Sequence, residues 1–362
     1  MRLPRFKFLN RFRLRIMFQN VANYLILFVG IFFIMVMLAM AVGMPDTLSY
    51  YKENTKDMMF AKYQYVLKSY EDEDGDVLTT DNKDAEKFSM SSLQKKGDAL
   101  DEEVSVYGIS DDSQYVKIKD LQSLQEKGVY ISKSFSEKYE LGVGDSIALD
   151  EKYENKQYTF TVAGIFDQCL SIAVFMPIEN YRTVFDLDEE AFNGYFSNTE
   201  LADISEDDIA TVITERDIIK MCDQLDHSMG AYMNYFQVLC ILLSAVLIYL
   251  LTKLIIEKNE NAISMTKILG YENGEIASLY LLSTTIVVVI ADLLSVVLGA
   301  FVMAQAWKAI MFSYSGWFSF VIQPVGYVKM FAFVLIGYLF VMILDFMRIK
   351  RIPMEQALKN VE

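Results

Sequence analysis

Hydrophobic residues gather in four long runs along the chain, separated by stretches of mixed polarity. The runs lie at about Val21–Val42, Met233–Ile256, Ile276–Met303 and Gly326–Met347. Each can cross a hydrocarbon layer of about 30 Å as a helix, which takes roughly 20 residues. The pattern therefore predicts four transmembrane helices, with a large polar insertion between the first and the second.

Within the insertion, the hydrophobic pattern changes from a helical period to the alternation of β-strands. Residues 47–60 are predicted to form a helical stalk, and a strand begins at Ala61. Farther along, the pattern predicts strands at Val129–Ser132, Ser146–Asp150, Tyr158–Phe166 and Ala173–Pro177, with short helices toward Leu141 and Phe185. The predicted fold class is a four-helix α-helical membrane protein with an extracytoplasmic α+β domain inserted between helices 1 and 2.

A second helical stalk is predicted between the insertion and the second run. Thr214 and Asp217 have the spacing of a capping box, in which each side chain bonds the backbone N–H of the other residue. From there, past Leu225, no proline and only Gly230 interrupts the pattern up to Ile256. We predict one helix of roughly 60 Å that joins the inserted domain to the second span.

A short polar island, Lys253–Ile276, separates the second and third runs. An apolar stripe follows helical spacing within it: Ala262, Met265, Ile268 and Leu269. The island should therefore contain a short amphipathic helix, which Gly270 is placed to end before Asn273 caps the next helix. Periodicity leaves two interpretations, a helix that rests on lipid headgroups and a docking helix for a cytosolic partner.

Charge is distributed unevenly along the chain, whose formal net charge is -15. Residues 45–228 carry about 40 acidic and about 18 basic side chains, whereas Arg2–Arg15 and Met347–Glu362 are rich in Lys and Arg. By the positive-inside rule, both termini are predicted to be cytosolic and the acidic domain to lie outside. Such an acidic domain would repel phosphate, so we expect no nucleic acid as a partner.

These boundaries divide the chain into five predicted segments. They are a basic cytosolic N-terminus at 1–20, transmembrane helix 1 at 21–43, an α+β domain with helical stalks at 45–228, a three-helix membrane domain at 231–347 and a basic cytosolic tail at 348–362. A cleaved signal peptide competes for the first run, because Ala39-Met40-Ala41 resembles a cleavage site. The run is longer than the 7 to about 15 residues of a signal peptide core, which favours an uncleaved span.

Motifs for catalysis, cofactors and metals are missing from the sequence. It has no phosphate-binding loop of the form Gly-x-x-x-x-Gly-Lys-Ser/Thr, and His227 is its only histidine. Ser-His catalysis and a histidine-based metal site are therefore not predicted, and neither is a cofactor. The residues leave open whether Cys169 and Cys222 pair, and whether Asp292, an acid inside the third span, is a hydrogen-bonding contact or an ion site.

Several motifs are similar to those of a known family. They are Gly144-Asp145, the strand Thr161–Asp167, Lys267-Ile268-Leu269-Gly270 followed by Ile276, and the closing residues Pro353, Glu355, Ala357 and Leu358. Together they resemble the FtsX-like permease family, the MacB-type mechanotransmission class of ABC transporter membrane subunits. The chain departs from this pattern at Ala262, where many members have glutamate.

The resemblance implies a partner for the polar island. A separate cytosolic ABC ATPase subunit would dock there, and the coupling residues would be Asn259, Glu260, Ile263, Met265, Lys267, Leu269 and Gly270. The chain also resembles the C-terminal half of long Gram-positive permeases, so it would be a split subunit or a fragment that needs a second permease copy or a sister half. The permease, with its second copy or its sister half, would lie in the lipid bilayer.

The expected function is that of a permease subunit that transmits ATPase movement to its extracytoplasmic domain. Export or extrusion of a lipid, a lipoprotein or a peptide would follow, and the strand pattern does not decide among these cargoes. The alternative is a membrane-anchored regulator or adaptor, whose outer domain controls a cell-wall enzyme or senses a ligand.

Overall fold

A computed structural model of the chain describes residues 18, 20–72, 75–97, 100–153, 155–169 and 171–354, without the side chains of 55–58, 221 and 225. The basic N-terminus, the closing residues Glu355, Ala357 and Leu358, and the side chain of Leu225 therefore lie outside the described part. Two compact units are present. The helical unit comprises Met1–Thr47, His227–Gln305 and Val321–Glu362, and the α+β unit comprises Leu48–Asp226 and Ala306–Phe320.

The helices in chain order are α1 (Val21–Met58), α2 (Lys133–Tyr139), α3 (Ile178–Phe185), α4 (Glu215–Lys258), α5 (Glu260–Ile268), α6 (Asn273–Met311) and α7 (Pro324–Arg351), with a 3-10 turn at Leu121–Ser123. Among the described residues, four helices are long and apolar enough to cross a membrane. They are α1 as far as Asn54, α4, α6 and α7. The four predicted spans are thus confirmed, with the α+β domain between the first and the second.

Pro45 lies inside α1 without ending it. A proline has no N–H to give the carbonyl four residues earlier, which here is that of Ala41. Gln237 of α4 supplies the missing donor, since its Nε2 lies 2.9 Å from the Ala41 oxygen. The first span and the stalk predicted after Pro45 consequently form one continuous helix.

The start of α4 has the predicted capping box. The Asp217 N–H donates to Thr214 Oγ1 at 3.3 Å, and the Thr214 N–H donates to Asp217 Oδ2 at 3.2 Å. From this cap α4 continues for 44 residues and passes Gly230 without a break. At 1.5 Å per residue the helix is about 66 Å long.

The strands of the α+β unit are β1 (Tyr63–Leu67), β2 (Glu86–Lys95), β3 (Glu102–Ile109), β4 (Gly128–Ser132), β5 (Ser146–Asp150), β6 (Gln157–Phe166), β7 (Ala173–Pro177), β8 (Gly194–Ser197) and β9 (Ile209–Thr214). The described strands form one sheet in the order β3-β7-β4-β6-β5-β2-β8-β1-β9. Strand β2 also pairs with β3, so six of the strands close into a ring, and β8, β1 and β9 extend the sheet from β2.

The ring encloses the main core of the α+β unit. Alternate residues of β6 are buried, as expected for a strand with one face on a core, and all five residues of β7 are buried. One core cluster includes Leu93, Val104, Val129, Ile131, Phe135, Phe160, Val174 and Trp317, and a second includes Phe88, Tyr107, Phe166, Ala173 and Phe175. Trp317 comes from the segment between α6 and α7 and is 5% exposed.

Cys169, Cys222 and Asp292 are all buried. Cys169 and Cys222 are both buried free thiols rather than a disulfide, and burial raises the pKa of Cys169 to about 11. Asp292 is fully buried in α6, and neither of its carboxylate oxygens has a hydrogen-bond partner within the described part of the chain. The hydrogen-bonding interpretation of Asp292 therefore finds no partner.

Candidate functional site

The polar island between α4 and α6 contains the predicted short helix, α5. Gly270 follows it with a φ of +90°, a left-handed conformation that glycine adopts without strain and that commonly ends helices. The next helix begins at Asn273, and Glu275 Oε2 accepts a hydrogen bond from the Glu272 N–H at 3.1 Å. The island thus consists of the end of α4, the short helix α5, a glycine turn and the start of α6.

The inner face of α5 packs on the helical unit. Ile263 is fully buried in an apolar cluster, whose other members are Ile256, Ile276, Ala277, Leu279, Tyr280, Ile349 and Ile352. Ser264 Oγ lies 3.0 Å from the Pro353 carbonyl oxygen and 2.8 Å from that of Met354. This face therefore binds α5 to the residues at and just beyond the end of α7.

Lys267 extends this attachment through its ammonium group. Its Nζ donates to three carbonyl oxygens, those of Ile349 at 2.8 Å, Lys350 at 3.2 Å and Ile352 at 2.8 Å. The last carbonyls of a helix have no partner within the helix, and a cation there interacts favourably with the helix dipole. Burial lowers the pKa of Lys267. The three carbonyl oxygens replace part of the hydration that its charge loses. Lys267 therefore caps α7 from the neighbouring helix.

The outer face of α5 carries the apolar stripe of the sequence. Met265 is 53% exposed, Ile268 45% and Leu269 71%, and Ala262 and Tyr271 are exposed as well. Large apolar side chains that lie together on a surface commonly mark an interaction site. The predicted stripe thus exists, and it faces away from the core of the helical unit.

The seven coupling residues implied by the family resemblance are divided between these two faces. Met265, Leu269 and Gly270 are exposed, whereas Ile263 and Lys267 are buried. Asn259 and Glu260 are half-buried, and Asn259 Nδ2 donates to the Ile255 carbonyl oxygen at 2.6 Å, at the junction with α4.

Sequence reasoning missed Ser264, whose hydroxyl binds α5 to the chain after α7, and Tyr271, which continues the exposed stripe. Helical spacing did place Ser264 on the face of Lys267, three residues away. This was a signal that the two act together.

Two cavities lie in the described part of the α+β unit. One open cavity of about 530 Å³ lies along residues 110–123 and has mixed polar and apolar walls, and a second of about 240 Å³ lies beside Phe60 and Asn198. Among the described residues, no group of three or more His, Cys, Asp or Glu side chains is arranged to hold a metal ion. His227 is exposed on α4.

Comparison with known proteins assigns both parts of the chain. The family described as MacB-like periplasmic core domain matches residues 21–213, and the family described as FtsX-like permease C-terminal matches residues 234–354. Among solved structures, the chain is similar to the extracellular domain of the noncanonic ABC-type transporter YknZ from Gram-positive bacteria. The identity is 16%, over 41% of this chain and 76% of that one, and the TM-score of 0.23 does not establish a common fold. No curated protein sequence matches the chain.

Proposed function

Because the chain belongs to the FtsX-like permeases with a MacB-like core domain, we propose that it is the ABC transporter subunit that carries movement from a cytosolic ATPase to an extracytoplasmic domain. ATP hydrolysis takes place in the separate ATPase subunit. The movement drives export or extrusion of a lipid, a lipoprotein or a peptide. Both termini of the permease are cytosolic, which puts the island around α5 on the side of the ATPase.

One observation carries the proposal, namely the division of α5 into an anchored face and an exposed apolar face. A helix that only rested on its own protein would leave its polar side outward, whereas α5 exposes Met265, Ile268 and Leu269. Apolar side chains of this size suit a helix that lies in a groove of a partner. The ATPase subunit is that partner, and exposed Gly270 ends the contact.

The anchored face provides the contacts through which a displacement of α5 reaches the transmembrane helices. Ile263 packs with Ile256 of α4, and Lys267 binds the end of α7. A displacement of α5 therefore acts on two spans at once. Helix α4 is the direct route outward, since it continues from Lys258 to the capping box of Thr214 and Asp217.

A second copy of the permease, or a sister half, completes the transporter in the lipid bilayer. The ATPase subunits of such a transporter act as a pair, and each needs a docking helix. Helix α4 exposes a row of apolar side chains along its length, including Val238, Leu242, Val246 and Leu250. This row supplies a surface for the second permease or for lipid.

The test is co-purification of the ATPase subunit with Leu269→Asp. Leu269 is 71% exposed, so the substitution leaves the folded permease intact, but it would place a charge in an apolar groove at a cost of several kcal/mol. We expect the permease to insert normally and to lose most of the bound ATPase. The matched control is Val143→Asp, which introduces the same charge at a 68% exposed apolar position of the α+β unit, outside both the stripe and the spans.

Two outcomes contradict the proposal. One is normal recovery of the ATPase with Leu269→Asp at wild-type expression. The other is the absence of any co-purifying ATPase with the unsubstituted permease, which would favour a regulator or adaptor that works without ATP.

A further inference from the structure

The segment between α6 and α7 belongs to the α+β unit rather than to the helical unit. Ala306–Phe320 clusters with Leu48–Asp226, and it includes the last turns of α6. Only three residues, 321–323, separate it from the start of α7. Between the spans α6 and α7, the chain therefore leaves the helical unit, passes through the α+β unit and returns.

The side chain of Trp317 anchors the segment in the core formed by the ring of six strands. Its side chain is 5% exposed and packs in the same cluster as Val104, Ile131 and Phe135. Its indole Nε1 donates to Glu137 Oε2 at 3.0 Å, and Ser319 Oγ donates to the same oxygen at 2.5 Å. A surface loop would not place a tryptophan in the core of a sheet, so this segment completes the core.

A buried ion pair fixes the turn just before Trp317. The side chains of Lys138 and Glu102 are each 1% exposed and form a salt bridge. The Lys138 ammonium also donates to the Tyr314 carbonyl oxygen at 2.7 Å and to that of Gly316 at 3.1 Å. Glu102 Oε1 accepts from the Gly316 N–H at 2.8 Å and from Ser315 Oγ at 3.3 Å. Both charges of the pair thus also form hydrogen bonds with the segment.

Two buried charges destabilise a fold unless their mutual attraction and their hydrogen bonds compensate for the lost hydration. Burying two charges requires that nearly every lone pair and proton be satisfied, and an apolar pair of similar volume often stabilises a core as well or better. Here the segment supplies the partners that make the buried pair tolerable. Removal of the segment would leave two buried charges short of hydrogen bonds.

We propose that Lys138 and Glu102, together with Glu137, form a latch that keeps segment 306–320 inside the α+β unit, so that α6 and α7 join α1 and α4 in moving that unit. The latch itself follows from the contacts within the α+β unit. Its part in movement rests on the proposed transmission of ATPase movement. Lys138 and Glu102 are positioning residues in this scheme, since neither contacts the ATPase docking face.

The test replaces both charges in the full-length permease in lipid nanodiscs. The double variant Lys138→Met with Glu102→Leu removes the pair without leaving a lone buried charge, so the β-ring should stay folded. The matched control is Lys152→Met with Glu103→Gln, because Glu103 adjoins Glu102 and forms an exposed ion pair with Lys152. Hydrogen–deuterium exchange is followed in peptides that cover 312–320 and, as a measure of folding, in β6.

We expect exchange in 312–320 to rise by about tenfold or more in the double variant, with β6 unchanged and the control like the unsubstituted chain. A second variant, Glu137→Ala, removes the acceptor of Trp317 and Ser319 and should loosen the same peptides even if the double variant does not fold. Unchanged exchange in 312–320 for either folded variant overturns the latch.

The movement is tested separately, with the ATPase present. If the double variant exchanges faster at 312–320 yet keeps full ATP-dependent activity in cells, the latch exists but does not carry movement, and that part is overturned. Loss of activity with normal ATPase binding supports it. Because the exchange measurement needs no ATPase, failure of the latch and failure of the proposed function give different results.

Discussion

The attachment of α5 to the end of α7 can be tested by replacing Lys267 with methionine. Methionine keeps most of the apolar stem but removes the ammonium, so the carbonyls of Ile349, Lys350 and Ile352 lose their donor. The exposed stripe of α5, which we propose to contact the ATPase, is left untouched. The substitution thus separates the position of the docking helix from its surface.

The size of the effect follows from these three contacts. A hydrogen bond from a charged donor contributes about 1.5–3 kcal/mol, and a cation at a helix C-terminus about 0.3–1 kcal/mol more. Desolvation, which lowers the pKa of Lys267, offsets a part of this sum. Since the freed carbonyls at the edge of the helical unit can in part be rehydrated, we expect a net loss of about 2–4 kcal/mol for the α5 attachment.

Hydrogen–deuterium exchange of residues 260–268 measures this loss directly. A loss of 2 kcal/mol makes local opening roughly 30-fold more frequent, so the amides of α5 should exchange at least that much faster, and ATPase recovery should fall. The control is Lys258→Met, at an exposed lysine of the same loop region. Exchange of α5 within about twofold of the unsubstituted chain, with ATPase binding intact, would refute the positioning role of Lys267.

Two further substitutions test other parts of the molecule. A Gly-Gly insertion between Asp226 and Met229 should leave both units folded and the ATPase bound but reduce ATP-dependent activity in cells, because it adds a flexible joint and rotates the rest of α4 by roughly 200° at a cost of about 2 kcal/mol; undiminished activity would contradict transmission through α4. Gly194→Ala should destabilise the α+β unit by about 1–3 kcal/mol, since a Cβ there would lie 2.3 Å from Phe88 Cζ and 2.6 Å from the Tyr65 carbonyl oxygen. Thermal unfolding in detergent checks this against Gly142→Ala, where the nearest atom is 3.7 Å away.

Local pattern was enough to predict the spans and the part of the α+β domain from β4 to α3. Strands β5 and β7 have the predicted bounds, and β4 and β6 differ by one residue, because their alternation or continuous apolar runs are bounded by clear turns. Strands β2, β3, β8 and β9 were missed. The β2 sequence is rich in serine, and its place in the sheet comes from pairing with β3, β5 and β8 rather than from its own pattern.

The candidate site was predictable as a helix with an apolar stripe, but not as two faces with different partners. Periodicity shows which residues share a face, and it is silent on which face the fold covers. Lys267 was predicted as a coupling residue because it begins the Lys267-Ile268-Leu269-Gly270 motif of the family resemblance. Its burial depends on carbonyls 82–85 residues away in sequence. Trp317 escaped prediction for a similar reason, since its partner Glu137 lies 180 residues away.

Polar bonds between helices bear on which helix carries the movement. Within the helical unit, Gln237 of α4 binds the Ala41 carbonyl that Pro45 leaves free in α1. Within the α+β unit, Lys52 of α1 forms a 2.5 Å ion pair with Asp223 of α4. The first bond satisfies a backbone group within a predicted span, whereas the second is an exposed ion pair. Breaking the first bond therefore costs more free energy than breaking the second. Helix α1 should therefore follow α4, and partial activity after the Gly-Gly insertion would measure the share that α1 transmits.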